Sequence, residues 1–267
     1  MIMNWSEQIN MQTNLKQYLD YLVEFIQQTV KKAKCDGVVV GISGGIDSAV
    51  VANLAKRAFP DNYLTVWMPI YSSQLDYDCA NELIKTNQLK NIEVNLEASF
   101  DAFKNSFSNL DEKPNLLAIS NAKARLRMTT LYTIAQTKKY LVLGTDNLDE
   151  WHIGYFTKYG DGGVDVVPII HLLKSEVKKA AKILNVPELI INRKPTAGLW
   201  EGQTDEGEIG FSYDLIDSYL LKQNNDPKLK KRIDYLHKIS KHKRMLAIKP
   251  KKFKDKRKGK INVLTIK

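Results

Sequence analysis

The chain has 267 residues, 43% of them hydrophobic and 26% charged, with a formal net charge of +10. Those proportions belong to an ordinary globular protein and exclude low-complexity, collagen-like and coiled-coil chains. No apolar run approaches the roughly 18 residues of a membrane helix, and the opening MIMNWSEQIN lacks the basic-then-apolar pattern of a secretory signal, so a cytoplasmic protein without membrane association is expected.

Leu15, Tyr18, Leu19, Leu22, Val23, Ile26 and Val30 recur at helical spacing and predict an amphipathic helix over 13–33. GVVVGI at 37–42 predicts a strand, followed by a glycine turn and a helix over 47–58. Asp61-Asn62 turns the chain into a second strand at 63–68, and a helix over 74–87 leads to a third strand at 91–96. Helices over 97–107 and 115–137 precede a fourth strand at 140–145, and KSEVKKAAKIL opens a further helix at Lys174. Strands one, two and four are nearly continuous apolar runs, the pattern of a sheet covered on both faces. The alternation predicts an α/β fold with a doubly wound, mainly parallel sheet and helices on both sides.

Residues 1–248 are expected to form one domain and 249–267 a basic C-terminal tail. Residues 241–260 hold eleven Lys/Arg and one Asp, a net of +10, so the rest of the chain is neutral. A solvated, disordered tail is the plain expectation for such a run. A nucleic-acid contact through it is the alternative, and nothing else in the sequence supports it. Cys35 and Cys79, with no CxxC pair, read as buried thiols rather than a disulfide. His152, His171 and His237 lack metal-ligand spacing and read as packing or surface residues.

In a doubly wound sheet, ligands sit beyond the C-terminal ends of the strands. GISGGIDS at 41–48 and GTDNLDE at 144–150 are therefore expected to converge. Gly44 and Gly45 permit positive φ and close approach of a ligand to the backbone. Successive N–H groups at such a turn, backed by the following helix dipole, make an anion site suited to phosphate or pyrophosphate, with Ser43 and Ser48 as hydroxyl donors. The common P-loop would place a Lys after the glycines; this turn holds Asp47 instead. An acid beside phosphate calls for a cation between them, and Mg²⁺ takes carboxylate and phosphate oxygens together. The plainer reading of Asp47 is a helix N-cap, and of Glu150 a first-turn helix acid.

SGGIDS resembles the pyrophosphate-binding loop of the N-type ATP pyrophosphatases, of the Rossmann-like adenine nucleotide alpha-hydrolase type. NAKARLRM at 121–128, GTDNLDEWHIGYFTKYGDGGVDVVPI at 144–169 and PTAGLWEGQTDEGEIGFSYDLID at 195–217 are further similar to the ammonia-dependent NAD synthetases. The resemblance spans about residues 13–245. It implies ATP contacts at Gly41, Ile42, Ser43, Gly44, Gly45, Ile46, Asp47, Ser48, Thr145, Lys174 and Thr196, and Mg²⁺ on Asp47 and Glu150. It implies deamido-NAD contacts at Arg125, Lys158, Asp165, His242 and Lys243, and places Asp161 near the nicotinate and the ammonia. It also implies a homodimer. The 196–212 segment, with four glycines and several acids, reads as a mobile lid that orders over substrate.

The activity implied is ATP-dependent amidation of deamido-NAD with ammonia, giving NAD, AMP and pyrophosphate through an adenylate, with Asp47, Glu150, Asp161 and Lys174 as catalytic residues. No glutamine-hydrolysing segment is visible, so free ammonia is the expected donor, unless a separate subunit delivers it. Two rival readings remain open on the sequence. One is a tRNA-thiolating enzyme with the same loop, which a catalytic Cys pair would favour. The other is a non-catalytic nucleic-acid binder using the tail.

Overall fold

A computed structural model describes residues 15–196, 198 and 204–250. The amphipathic N-terminal run forms helix α1 (Leu15–Lys32), which buries Leu19, Leu22, Ile26 and Val30 along one stripe. Strand β1 (Gly37–Ile42), helix α2 (Ile46–Ala58), strand β2 (Tyr63–Trp67), helix α3 (Gln74–Thr86) and strand β3 (Asn91–Glu93) follow. Then come α4 (Glu97–Asn105), α5 (Leu116–Lys138) and β4 (Tyr140–Leu143). The remainder is helical: α6 (Leu148–Ile153), α7 (Lys174–Ile183), α8 (Glu188–Ile191), α9 (Asp205–Ile209), α10 (Tyr213–Leu220), α11 (Pro227–Ile239) and a 3₁₀ turn at Ser240–Arg244.

The four strands pair in the order β3-β2-β1-β4, all parallel. The chain runs outward from β1 to β3 and then returns to the other side of β1 with β4. The topological switch therefore lies between β1 and β4, where a crevice opens at the strand ends. Successive side chains of β1 serve opposite faces. Val38, Val40 and Ile42 join α1, α2 and α7 in one core cluster, and Val39 joins Val66, Val142 and α5 in the other. This two-sided burial is why β1 and β2 carry almost no polar residue.

The third strand is shorter than its sequence suggests, ending at Glu93 rather than 96. It is an edge strand with exposed side chains, and opposite it β2 runs into Pro69, which has no N–H to extend the ladder. Val94 and Leu96 still donate backbone hydrogen bonds to Trp67 and Pro69, but no regular strand continues. Strands β2 and β4 likewise end one and two residues early. Cys79 is buried as expected, whereas Cys35 is only partly covered; both are free thiols. The tail beyond residue 250 lies outside the described residues, and among those described no helix is long and apolar enough to cross a membrane.

A third apolar cluster joins Ile153 of α6, Ile216 of α10 and Ile233 of α11. At its edge His152 stacks on His237, ring centroids 4.2 Å apart, and His237 Nδ1 lies 2.8 Å from the His152 carbonyl oxygen. Burial, followed by the charges of His237 and Arg244 and opposed by Asp234, lowers the His152 pKa from 6.5 to about 4. Below the ordinary value the unfolded chain binds a proton that the native ring refuses. Native stability therefore falls as pH drops from 6.5 toward 4. We expect the urea midpoint to decrease between about pH 7 and about pH 5, and His152→Phe to shrink that decrease; an undiminished decrease in the variant would contradict this assignment.

Candidate active site

The glycine turn between β1 and α2 forms the floor of the crevice. Gly44 takes φ +76, and a Cβ there would lie 2.7 Å from the Asp76 carbonyl oxygen, so the position requires glycine. Gly45 is the N-cap of α2 and has no side chain to cap the helix. The first N–H groups of α2 thus have no intrahelical acceptor and point into the crevice as anion donors. The serines shape the turn: Ser43 N–H donates to Ser48 Oγ at 3.2 Å, Gly45 N–H to Ser43 Oγ at 3.2 Å, and Ser48 Oγ to the Gly45 carbonyl at 2.9 Å.

Asp47 does not cap its helix. Its Oδ2 meets Lys174 Nζ at 2.5 Å and its Oδ1 accepts from Asn147 Nδ2 at 2.9 Å. Asn147 and Glu150 form a capping box at the start of α6. One Glu150 oxygen is therefore a helix-start acceptor, as the plain reading held, while the other meets Lys174 Nζ at 3.2 Å and the Tyr213 hydroxyl at 3.1 Å. Lys174 opens α7 and is 3% exposed. Its backbone N–H donates to Asp149 Oδ2 at 2.8 Å, and Ser175 N–H donates to Asp217 at 3.2 Å. Burial alone would lower the Lys174 pKa, but Asp47 and Glu150 outweigh it and raise it. Burial pushes the Glu150 carboxyl up to about 7, aided by Asp47 and opposed by Lys174.

Above this cluster lies a cavity of about 400 Å³. Of the sequence-predicted site residues, it is lined by Gly41, Ile42, Ser43, Gly45, Ile46, Asp47, Ser48, Thr145, Glu150, Asp161, Lys174, Thr196 and Lys243. The two glycine-bearing segments do converge. Arg125, Lys158 and His242 stay outside the cavity wall but form a contiguous set: Arg125 Nη2 donates to the Lys158 carbonyl at 3.3 Å, and Lys158 Nζ to the His242 carbonyl at 2.6 Å. Asp165 is elsewhere. Its carboxylate accepts from Val142 N–H at 2.9 Å and from the Tyr132 hydroxyl at 3.0 Å, which ties it to strand β4. Of the 196–212 stretch, 197 and 199–203 lie outside the described residues; the rest includes α9, whose Asp205 accepts from the Tyr213 hydroxyl at 3.0 Å.

Several cavity residues carry little signal in the sequence. Arg193 pairs with Asp76 at 2.5 Å and donates to the Gly44 carbonyl at 3.3 Å, bracing the turn from α3 and the segment after α8. Arg127 donates to the Met68 carbonyl at 3.0 Å from the cavity wall. Asp146 follows Thr145 in the segment between β4 and α6 and is 4% exposed. Asp161 accepts from Thr157 N–H at 3.0 Å; burial of its carboxyl raises its pKa, opposed by the hydrogen bonds at Thr157 and by Lys243.

The sequence model of the NAD synthase family matches residues 18–249. The chain belongs to that family. It is 65% identical to the NH(3)-dependent NAD(+) synthetase of Mesoplasma florum over 91% of this chain and 99% of that one. Among solved structures, an NMN synthetase from Francisella tularensis superposes with a TM-score of 0.84 at 39% identity, covering 89% of this chain and 98% of that one. An NH3-dependent NAD synthetase from Campylobacter jejuni in complex with nitrate superposes with a TM-score of 0.73 at 31% identity, covering 89% and 99%.

The donor set at Asp47 and Glu150 suits a divalent cation. Two carboxylates of separate elements face one point, now taken by the Lys174 ammonium, beside the anion-binding turn. Asp205 and Asp146 lie nearby, and burial raises the carboxyl pKa of each, so the Lys174 ammonium chiefly balances Asp47 and Glu150. Replacing Lys174 by Met leaves that charge unbalanced. We expect Lys174→Met to destabilise the protein by about 3–5 kcal/mol in magnesium-free buffer, read from urea denaturation. Unchanged stability would show that the ammonium does not balance the carboxylates.

Proposed function

We propose that the protein joins ammonia to the nicotinate carboxylate of deamido-NAD at the expense of ATP, releasing NAD, AMP and pyrophosphate. A carboxylate resists ammonia because oxide is a hopeless leaving group, and adenylation replaces it with phosphate. The nicotinate carboxylate attacks the α-phosphorus of ATP, forming an acyl–O–P bond while the bond to the pyrophosphate oxygen breaks. The N–H groups at the start of α2 and the Lys174 ammonium stabilise the negative charge that gathers on the departing pyrophosphate. Asp47 and Glu150 would hold a magnesium ion, whose charge serves the same phosphate oxygens. Ammonia then attacks the acyl carbon and AMP leaves.

The observation that carries this reading is the uncapped α2 N-terminus set directly beside the Lys174–Asp47–Glu150 cluster, in a chain of the NAD synthase family. Phosphate needs the first, and a phosphate-bound cation needs the second. Trp67, Met68, Leu131 and Ile190 give the cavity an apolar wall that suits the adenine ring, with Thr145 and Thr196 as polar contacts. We assign the nicotinate end to Asp161 and Lys243, on the cavity wall, and the far half of the dinucleotide to the Arg125–Lys158–His242 set beyond its mouth. Membership of the NAD synthase family supports a homodimeric, cytoplasmic working form, with the dinucleotide bound partly at the subunit interface. Asp165, whose carboxylate also holds the Val142 N–H and the Tyr132 hydroxyl, is kept as a further deamido-NAD contact.

The similarity to an NMN synthetase supports one second reading, in which the acid amidated is the mononucleotide. The same assay decides both. Incubated with ATP, Mg²⁺ and ammonium, the protein is expected to convert deamido-NAD to NAD with AMP in equal amount, and nicotinate mononucleotide more slowly. Faster turnover of the mononucleotide would favour the second reading, and ADP as the nucleotide product would rule out both.

A further inference from the structure

Within the phosphate turn, the peptide joining Gly44 to Gly45 is the easiest to turn over, because a glycine stands on each side. Its carbonyl faces Arg193, whose Nη1 donates to it at 3.3 Å. Its N–H, on the opposite edge, faces Ser43 Oγ at 3.2 Å. Ser43 lines the cavity, whereas Gly44 is the one residue of 41–48 that does not. A flip of this peptide would therefore swing the carbonyl oxygen to the cavity side, where its partial negative charge repels a phosphate. The flip would also carry Gly45 from φ −94 to a positive φ at ψ 159, a region open essentially to glycine alone. The turn thus needs something to hold it.

Arg193 is placed for that task by Asp76. Its Nη2 pairs with Asp76 Oδ1 at 2.5 Å, and both side chains are nearly buried. Asp76 is fixed in turn, since its Oδ2 accepts from the Ser73 N–H at 2.9 Å and from the Ser73 hydroxyl at 2.8 Å in the capping box of α3. One chain of hydrogen bonds therefore runs from the start of α3 through Asp76 and Arg193 to the Gly44 carbonyl. The planar guanidinium fork lets a single side chain serve a carboxylate and a carbonyl together.

We propose that Arg193 and Asp76 are a positioning pair that locks the Gly44–Gly45 peptide with its carbonyl turned away from the phosphate site, so that the turn can receive the pyrophosphate end of ATP. The role rests on the reaction proposed above. Both residues act through the turn and neither contacts the substrate. ATP binding depends on both members of the pair, and deamido-NAD binding on neither.

The test is deamido-NAD-dependent exchange of pyrophosphate into ATP by the full chain, which gives KM for each substrate separately. Breaking a nearly buried ion pair also lowers stability, but unfolded molecules reduce kcat and leave KM unchanged. We expect Arg193→Met and Asp76→Asn each to raise KM for ATP about tenfold or more, while KM for deamido-NAD stays within about twofold of wild type. Because the two act as a unit, the double variant should lie within about twofold of the worse single one. A rise for Arg193→Met with none for Asp76→Asn would make Arg193 a direct phosphate ligand and overturn the proposal. Unchanged KM for ATP in both, or additive effects in the double variant, would overturn it too.

A second background tests the flip itself. Gly45→Ala opposes the flipped state, because alanine resists a positive φ at that ψ, and the Cβ it adds has Ser43 Oγ, at 3.2 Å, as its one close neighbour among the described residues. Measured against Gly45→Ala alone, adding Arg193→Met is expected to raise KM for ATP by less than about threefold. The full rise in that background would contradict the flip and the proposal with it. If Arg193→Met does not fold, Asp76→Asn is carried through both backgrounds with the same expectations. A wild-type chain that exchanges no pyrophosphate would sink the proposed reaction alone; the same ratios, read as Kd for magnesium–ATP by calorimetric titration, would then decide the role of the pair.

Discussion

Lys174 between Asp47 and Glu150 is the interaction on which the rest of the site depends. The three side chains come from α7, α2 and α6, so one buried ion cluster fixes the relative positions of the elements around the crevice. A lysine this deeply buried is stable only while its charge is balanced. The acids that balance it lie beside a helix N-terminus that attracts anions. Taken alone, either feature is ordinary. Together they form a place where a polyphosphate and its cation complete the electrostatics, and where charge can move from one bound state to another without rebuilding the protein.

Topology explains why these residues meet although they are about a hundred positions apart. Strand β1 sits beside and parallel to β4, and the order of the strands reverses between them, so the turn after β1 and the segment after β4 emerge side by side. Asn147 joins the two directly, capping α6 with its side-chain oxygen while its amide donates to Asp47. The backbone N–H of Lys174 is held in turn by Asp149 of α6. The second layer is thus built from the same short segment, GTDNLDE, that supplies Thr145, Asp146 and Glu150.

Much of this was legible in the sequence. The apolar runs at β1 and β2, the 3.6-residue stripe of α1 and the glycine turn carry strong local signals, and the structure keeps all of them. Glu150 shows that a plain and a functional reading need not compete, since one oxygen caps α6 while the other faces Lys174. The sequence was less informative where long-range pairing decides. The end of β3 depends on Pro69 in the neighbouring strand. The commitment of Asp165 to Val142 and Tyr132 depends on how β4 and α5 pack. Arg193 reaches Gly44 from 149 positions away, and no local pattern announces it. Asp146 lay inside a quoted motif, but its burial without a donor becomes visible only once the cavity is formed.

The most direct test is a crystal structure with Mg²⁺ and a non-hydrolysable ATP analogue. The account requires the terminal phosphoryl groups to lie on the N–H groups of residues 45–48, with one cation shared by Asp47 and Glu150 and the Lys174 ammonium displaced onto a phosphate oxygen. A turn left empty while nucleotide binds elsewhere, or the two carboxylates drawn too far apart to share an ion, would contradict it.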